Sequence, residues 1–346
     1  MTVTDEPAPR RRRGLKWIAI LVVAVLVLWV GYWFAARQAA TMAFDRAFVS
    51  LAASDRDLVC DESALSGFPF RLALDCGNLA FTDRKAGAAF TAARVTASAP
   101  LYRPGRVEAV IASPVTIDAP GERVSLQVSW RDALATVDAG FGGLDGATLD
   151  LEAVEIVPGA GKNRMPFTHA SADRATIAAT PVSGGHYRFS IDATGLLLQP
   201  KKGDELPPMA IDAELTALDF GRSLGPDPGR TLAAWLADGG EFQIDRLTVA
   251  MGETTAGATG RLRVSADGLL SGDVTLRVVG LEAVPALAER LGLGSRDRLQ
   301  NIIGMAGAVM RPAADNPAAR DVPVTIRDGV ARIGFIPLGT IPRLRL

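Results

Sequence analysis

The chain has 346 residues, 37 basic and 38 acidic, for a formal charge of −1 at neutral pH. No basic block stands beyond the amino terminus, so no phosphate-neutralising surface is offered and nucleic acid is not an expected partner. Past residue 36 the chain is mildly acidic and long enough for one large or two ordinary domains.

Residues 1–16 read as a cytoplasmic basic tail carrying Arg10, Arg11, Arg12, Arg13 and Lys16. Residues 17–36 (Trp17 to Ala36) hold no charged side chain, and about 20 such residues in a helix rise about 30 Å, the depth of a bilayer's hydrocarbon core. The basic cluster before this stretch, against Arg37 alone close behind it, keeps the amino terminus in the cytoplasm. Everything after Arg37 is then periplasmic, on a single-pass inner-membrane anchor. Trp29, Tyr32, Trp33 and Phe34 crowd the outer end, where amphipathic rings favour headgroups. A cleaved signal peptide would have a shorter apolar run and a small-residue cleavage site where these aromatics stand. A buried core helix would have a polar edge. Residues 37–57 extend the helix outward, with Phe44, Phe48 and Leu51 spaced at i, i+4 and i+7.

From Leu58 the texture becomes short alternating apolar runs punctuated by Gly, Pro, Asp and Asn, the mark of antiparallel strands with one buried face. Phe70–Leu74, Val107–Ile111, Val115–Ile117 and Val124–Trp130 alternate, as do Tyr187, Phe189 and Ile191, then Leu262 with Val264, and Val274 with Leu276 and Val278. Helices are expected at Arg131–Ala139, at Arg230–Asp238 with Leu232, Trp235 and Leu236 inward, and as a pair at Ala283–Leu291 and Ser295–Val309. Ser295 is the expected N-cap of the last. Pro312–Pro323 reads as a loop before a hairpin of Val324–Ile326 and Val330–Phe335, turned by Asp328-Gly329.

Leu149, Leu151, Val154 and Ile156 share a pattern with Phe242, Ile244, Leu247 and Val249. The doubled polar step in each predicts a bulge or a switch of face mid-strand. Because each set follows an expected helix, the pattern suggests a duplicated unit, a first β-rich module at 58–200 and a second at 201–346, with a seam near Pro200–Pro208; chance likeness among short strands is the competing reading. The fold class is mainly β with a few helices (α+β), an N-terminal transmembrane helix followed by a curved antiparallel sheet or open β-groove.

Chemistry is sparse. His169 and His186 stand in separate segments without metal-ligand spacing, and Gly159-Ala160-Gly161-Lys162 lacks the glycine spacing and following Ser/Thr of a phosphate loop. No catalytic, cofactor-binding or metal residues are assigned, and an enzyme is not expected. Cys60 and Cys76, an even pair in the exported part, predict one disulfide; two buried thiols are the other reading. Between them lies Gly67-Phe68-Pro69-Phe70-Arg71, in which Gly67 permits a turn, Pro69 fixes the backbone, and Phe68 and Phe70 anchor opposite faces of the entering strand. At the far end, Gly334–Pro342 is an apolar tail that needs a sheet or partner to cover it.

The anchor, the helix from Ala36, the Gly67–Arg71 motif and the closing Asp328–Pro342 segment together resemble an envelope family of Gram-negative bacteria described only as a domain of unknown function. Arg261–Leu281, RLRVSADGLLSGDVTLRVVGL, more distantly resembles strand repeats of the AsmA-like and TamB-like superfamily. That resemblance implies a membrane-anchored, β-rich periplasmic groove working in phospholipid transport or outer-membrane assembly. The expected function is cell-envelope biogenesis without catalysis, with lipid acyl chains shielded or passed along the apolar sheet face. The expected partners are the inner membrane, phospholipid and other envelope proteins. The alternatives are a periplasmic scaffold without lipid binding and a hydrolase with an unrecognised site.

Overall fold

The computed structural model describes residues 11–52, 55–84, 87–103, 105–140, 143–159, 163–201, 206–224, 228–290, 295–306 and 310–343. One helix, α1 (Arg11–Ala52), runs without interruption through the apolar stretch and beyond it. Within it Ile20–Met42 is long and apolar enough to cross a membrane, with a mean hydropathy of 2.1. Its side chains stand outside the fold, Leu21 64% and Leu28 72% exposed, which removes the core-helix reading. The side chains of Phe44, Phe48 and Leu51 lie outside the described residues.

Among the described residues, 18 strands join in one antiparallel sheet. Strand β1 (Arg56–Ser66) and β2 (Arg71–Asp83) form the first hairpin, and β3 (Ala88–Pro100) adds to β2. A long hairpin broken in its middle follows. Its outgoing arm is β4 (Arg106–Ile111) and β5 (Val115–Ala119), both on β3; its returning arm is β6 (Val124–Ser129) and β7 (Asp132–Gly140), both on β8 (Gly143–Pro158). Trp130 closes the break, its Nε1–H donating to Ile111 O at 3.1 Å and its backbone N–H to Ser113 Oγ at 3.0 Å. The chain then meanders through β9 (Phe167–Val182), β10 (His186–Pro200), β11 (Met209–Ala217), β12 (Glu241–Met251), β13 (Thr254–Val264) and β14 (Leu270–Val279). Strands β10 and β11, on either side of residues 201–208, pair with each other.

Helix α2 (Pro228–Ala237) sits where the sequence places it, with Trp235 and Leu236 buried and Trp235 Nε1–H donating to Leu218 O at 2.8 Å. Leu232, expected inward, is 39% exposed. Helices α3 (Val284–Arg290) and α4 (Arg296–Ala306) form the expected pair, and Ser295 O accepts the N–H of Leu299 at 3.2 Å as an N-cap carbonyl does. The expected helix at Arg131–Ala139 is instead β7. Val137 and Thr136 are β-branched, and the strand is paired with β8 along its length and with β4 over Leu134–Asp138, so pairing overrides the helix propensity of its alanines. With that helix gone the proposed helix-then-strand repeat loses its first helix. The bulge is present in β12, between Ile244 and Leu247; in β8 the pairing stays in step across positive-φ Ala153, with Glu152 opposite Arg174 and Val154 opposite Ala172.

The segment Pro312–Pro323 is not wholly a loop. Strand β15 (Arg311–Pro312) opens it, and β16 (Ala319–Arg327) begins well before Val324 because it pairs along β14. Asp328 and Gly329, both at positive φ, form the two-residue turn to β17 (Val330–Ile333). Much of the apolar tail is taken up as β18 (Ile336–Thr340) against β17, while Phe335 at the turn stays 89% exposed.

Candidate functional site

Two features stand out, and both begin at α1. The first is an aromatic clasp between the helix and the β1–β2 turn. Trp29 Nε1–H donates to Pro69 O at 2.8 Å, Trp33 Nε1–H to Arg71 O at 3.1 Å, and Tyr32 OH to Leu101 O at 3.2 Å. Positions 29 and 33, one turn apart, share a face of the helix. The Phe70 ring lies 6.1 Å from Trp29, and Phe68 meets Trp33 edge-on at 5.3 Å. Trp33 is buried to 5% exposure, with the Arg37 guanidinium over its ring. Phe68 and Phe70 therefore do not anchor opposite faces of β2. They sit in the turn before it, which ends where β2 begins at Arg71, and both address α1. Gly67, at φ +102°, returns its backbone so tightly that a Cβ would stand 2.8 Å from Arg71 O; only glycine suits this position. Cys60 and Cys76 form a disulfide across the same hairpin, Cα atoms 5.6 Å apart.

The second feature is an apolar face that crosses the sheet. Residues paired across an antiparallel ladder point to the same side. One row starts at Leu65 and runs through Leu74, Ala97 and Ala109 on β1 to β4. It continues through Ala135, Leu149, Ile177 and Ile191, and then Ala213, Leu247, Ala258, Leu276 and Val322. A parallel row runs from Val107 through Val137, Ala147, Ala179, Phe189 and Leu215. Neither row contains a polar residue. The bulge in β12 keeps Ile244 and Leu247 on this side, opposite Leu215 and Ala213, which is why the doubled polar step does not interrupt the face. Midway along the sheet the face is open: Val107, Val137, Ile177 and Ile191 are 38–44% exposed. Where β1 to β4 meet the helix, Leu65, Leu72, Leu74, Ala97 and Val107 line a pocket of about 350 Å³ walled by Ala40 and Thr41 of α1.

The family model of an uncharacterized protein conserved in bacteria matches residues 33–342, from the clasp's central tryptophan to the end of the sheet. The chain belongs to DUF2125. No curated protein matches it, and no solved structure does.

The opposite face of this DUF2125 sheet is polar and laced with ion pairs. Glu152 receives Arg131 at 2.5 Å and Arg174 at 2.9 Å; the Arg131 hydrogen bond, above all, holds its carboxyl below the usual range. Arg246 bridges Asp212 at 2.5 Å and Glu214 at 3.6 Å, and Arg277 joins Asp321 at 2.7 Å and Asp315 at 2.9 Å. Burial, helped by Asp145, raises the Tyr187 phenol, whose OH donates to Leu144 O at 2.6 Å. His186 Nδ1 accepts the N–H of Asp219 at 2.9 Å, while His169 pairs with Gln199 along β9 and β10. The two histidines are not brought together. Gly159 precedes residues 160–162, which lie outside the described residues. Sequence reasoning missed Trp29 and Trp33 as partners of Pro69 and Arg71. The matching clusters of aromatics at 29–34 and 68–70 were the available signal.

Proposed function

We propose that this protein is a single-pass inner-membrane protein of cell-envelope biogenesis, its amino terminus cytoplasmic and its sheet periplasmic, that shields or passes lipid acyl chains without catalysing a reaction. The observation that carries the reading is the unbroken apolar face, open at Val107, Val137, Ile177 and Ile191 and beginning beside the helix. An exposed face of this extent is costly in water and marks a surface built for an apolar partner. Its commitment to lipid follows from position. The clasp fixes the first hairpin at the level of Trp29 to Trp33, the aromatic girdle expected among headgroups, so the face starts at the bilayer surface. The same contacts support a retained anchor over a cleaved signal, since cleavage there would strip Trp33 from the fold. The AsmA-like and TamB-like resemblance points the same way.

The test is native mass spectrometry with lipid extraction on the full chain released from membranes, beside the double variant Ile177→Glu and Ile191→Glu. The expected result is phospholipid at fixed stoichiometry, lost in the double variant. A clean apo mass, with no lipid taken up from vesicles, would overturn the reading. It would favour the scaffold instead, for which Phe335, 89% exposed at the β17–β18 turn, is the specific observation.

A further inference from the structure

We infer that the pocket between α1 and strands β1 to β4 is the portal at which a bilayer phospholipid first commits one acyl chain to the protein; the inference rests on the lipid-handling reading above. The lining carries no charge; its hydrocarbon comes from Ala40, Leu65, Leu72, Leu74, Ala97 and Val107, and Ser63 and Ser98 add two hydroxyls. The hydroxyl of Thr41 is already spent on Gln38 O at 2.8 Å, so it presents no donor inward. A charged headgroup finds no ion-pair partner there, whereas an alkyl chain replaces water along the apolar walls.

Two adjacencies decide the occupant. On one side, Ala40 and Thr41 lie seven and eight positions beyond Trp33 on the same helix, a rise of about 10–12 Å. The pocket therefore opens within a chain's reach of the headgroup level that the clasp marks. On the other side, its lining is the start of the apolar rows: Leu65, Leu74 and Ala97 begin the first, and Val107, which pairs with Val137, begins the second. A chain seated here is already aligned with the open face. A protein helix as occupant would need to displace α1, which forms the wall.

The experiment places the full chain in nanodiscs of phosphatidylethanolamine and phosphatidylglycerol containing a phospholipid with a doxyl group partway along one acyl chain. A bimane is attached at Val107→Cys or, in the water-exposed control, at Phe335→Cys. The expected result is strong doxyl quenching at position 107 and none at 335. Filling the pocket with Ala97→Phe then relieves the quenching at 107 and lowers lipid occupancy about tenfold, the effect of evicting even two methylenes. If Ala97→Phe loses its circular dichroism signature, Thr41→Trp blocks the pocket from the helix side and carries the same expectation. Quenching at a bimane on Ile177→Cys without any at Val107→Cys, or quenching at 107 indifferent to both blocks, overturns the portal while leaving the lipid-handling reading intact. Absence of quenching at 107 and 177 together, with no lipid co-purifying, overturns both.

Discussion

The middle of the sheet and its carboxyl-terminal end use the same alternation to different effect. Ile177 and Ile191 share a register row with Ala258 and Val322, yet the first pair is 44% and 42% exposed and the second 8% and 4%. The end strands are sealed. Ile244, Val274, Val324 and Ile326 form one cluster with Ile333, and Met310, Leu338 and Ile341 pack against it. The residues that seal it arrive from the last part of the chain, after α4, and the apolar tail is among them. The middle strands present the same face to solvent. Alternation thus specifies which residues share a side; the cover is supplied by segments far away in sequence. One end of the face is a core, and the middle is a surface.

The sharpest way to break that contrast is a matched pair of truncations. Ile326→Ala, in the sealed cluster at 6% exposure, is expected to cost about 2–5 kcal/mol, transfer loss plus cavity. Ile177→Ala removes the same atoms from a half-open site and should cost roughly 1 kcal/mol, since much of their area never left water. Denaturant midpoints of the full chain, compared at unchanged slope, read the difference. Equal losses would mean that Ile177 is covered in the intact protein and that the middle is no different from the end.

A smaller effect is expected at the clasp. Trp33→Phe keeps a ring against Phe68 but deletes the Nε1–H bond to Arg71 O, a loss of about 1 kcal/mol. Because the bond ties the helix to the first hairpin, the loss should be local. Hydrogen exchange should speed at Gly67–Arg71 while β12 to β14 stay protected. Faster exchange throughout the sheet would show that the clasp supports the whole fold, erasing the distinction between its helix-bound start and its sealed end.

Much of this architecture was legible because it is periodic. Val124–Ser129, the Asp328-Gly329 turn and the bulge after Ile244 could be read from side-chain alternation and turn chemistry alone. Arg131–Ala139 could not, since its alanines and leucine satisfy a helix template and only pairing with β4 and β8 decides for a strand. The early start of β16 failed to show for the same reason, Pro323 masking a strand whose partner is β14. Of the candidate site, Cys60, Cys76 and the Gly67–Arg71 motif were visible as residues. Their meeting with Trp29 and Trp33, roughly 40 positions away, is a tertiary event that no local pattern encodes.

If cover alone distinguishes the two regions, the ion pairs on the polar face should matter little in either. Asp321 at the sealed end accepts from Arg277, and that hydrogen bond first, with its charge, lowers the carboxyl's pKa. Glu152 in the middle is lowered in the same way, first by Arg131. A depressed folded pKa contributes stability above the unfolded carboxylate value, about 4, and that contribution disappears as pH falls through the folded value. Asp321→Asn and Glu152→Gln should therefore each be slightly less stable than the parent at pH 7 and indistinguishable from it in acid. Both pairs face solvent, where screening leaves such bridges small, so adding salt should shrink both differences alike. Parallel melting curves for the two variants across pH would confirm that the outer face is uniform. A loss at Asp321→Asn that persists in acid or high salt would instead make the polar ladder of β14 and β16 part of what seals the end, and the contrast could no longer be assigned to the apolar cover alone.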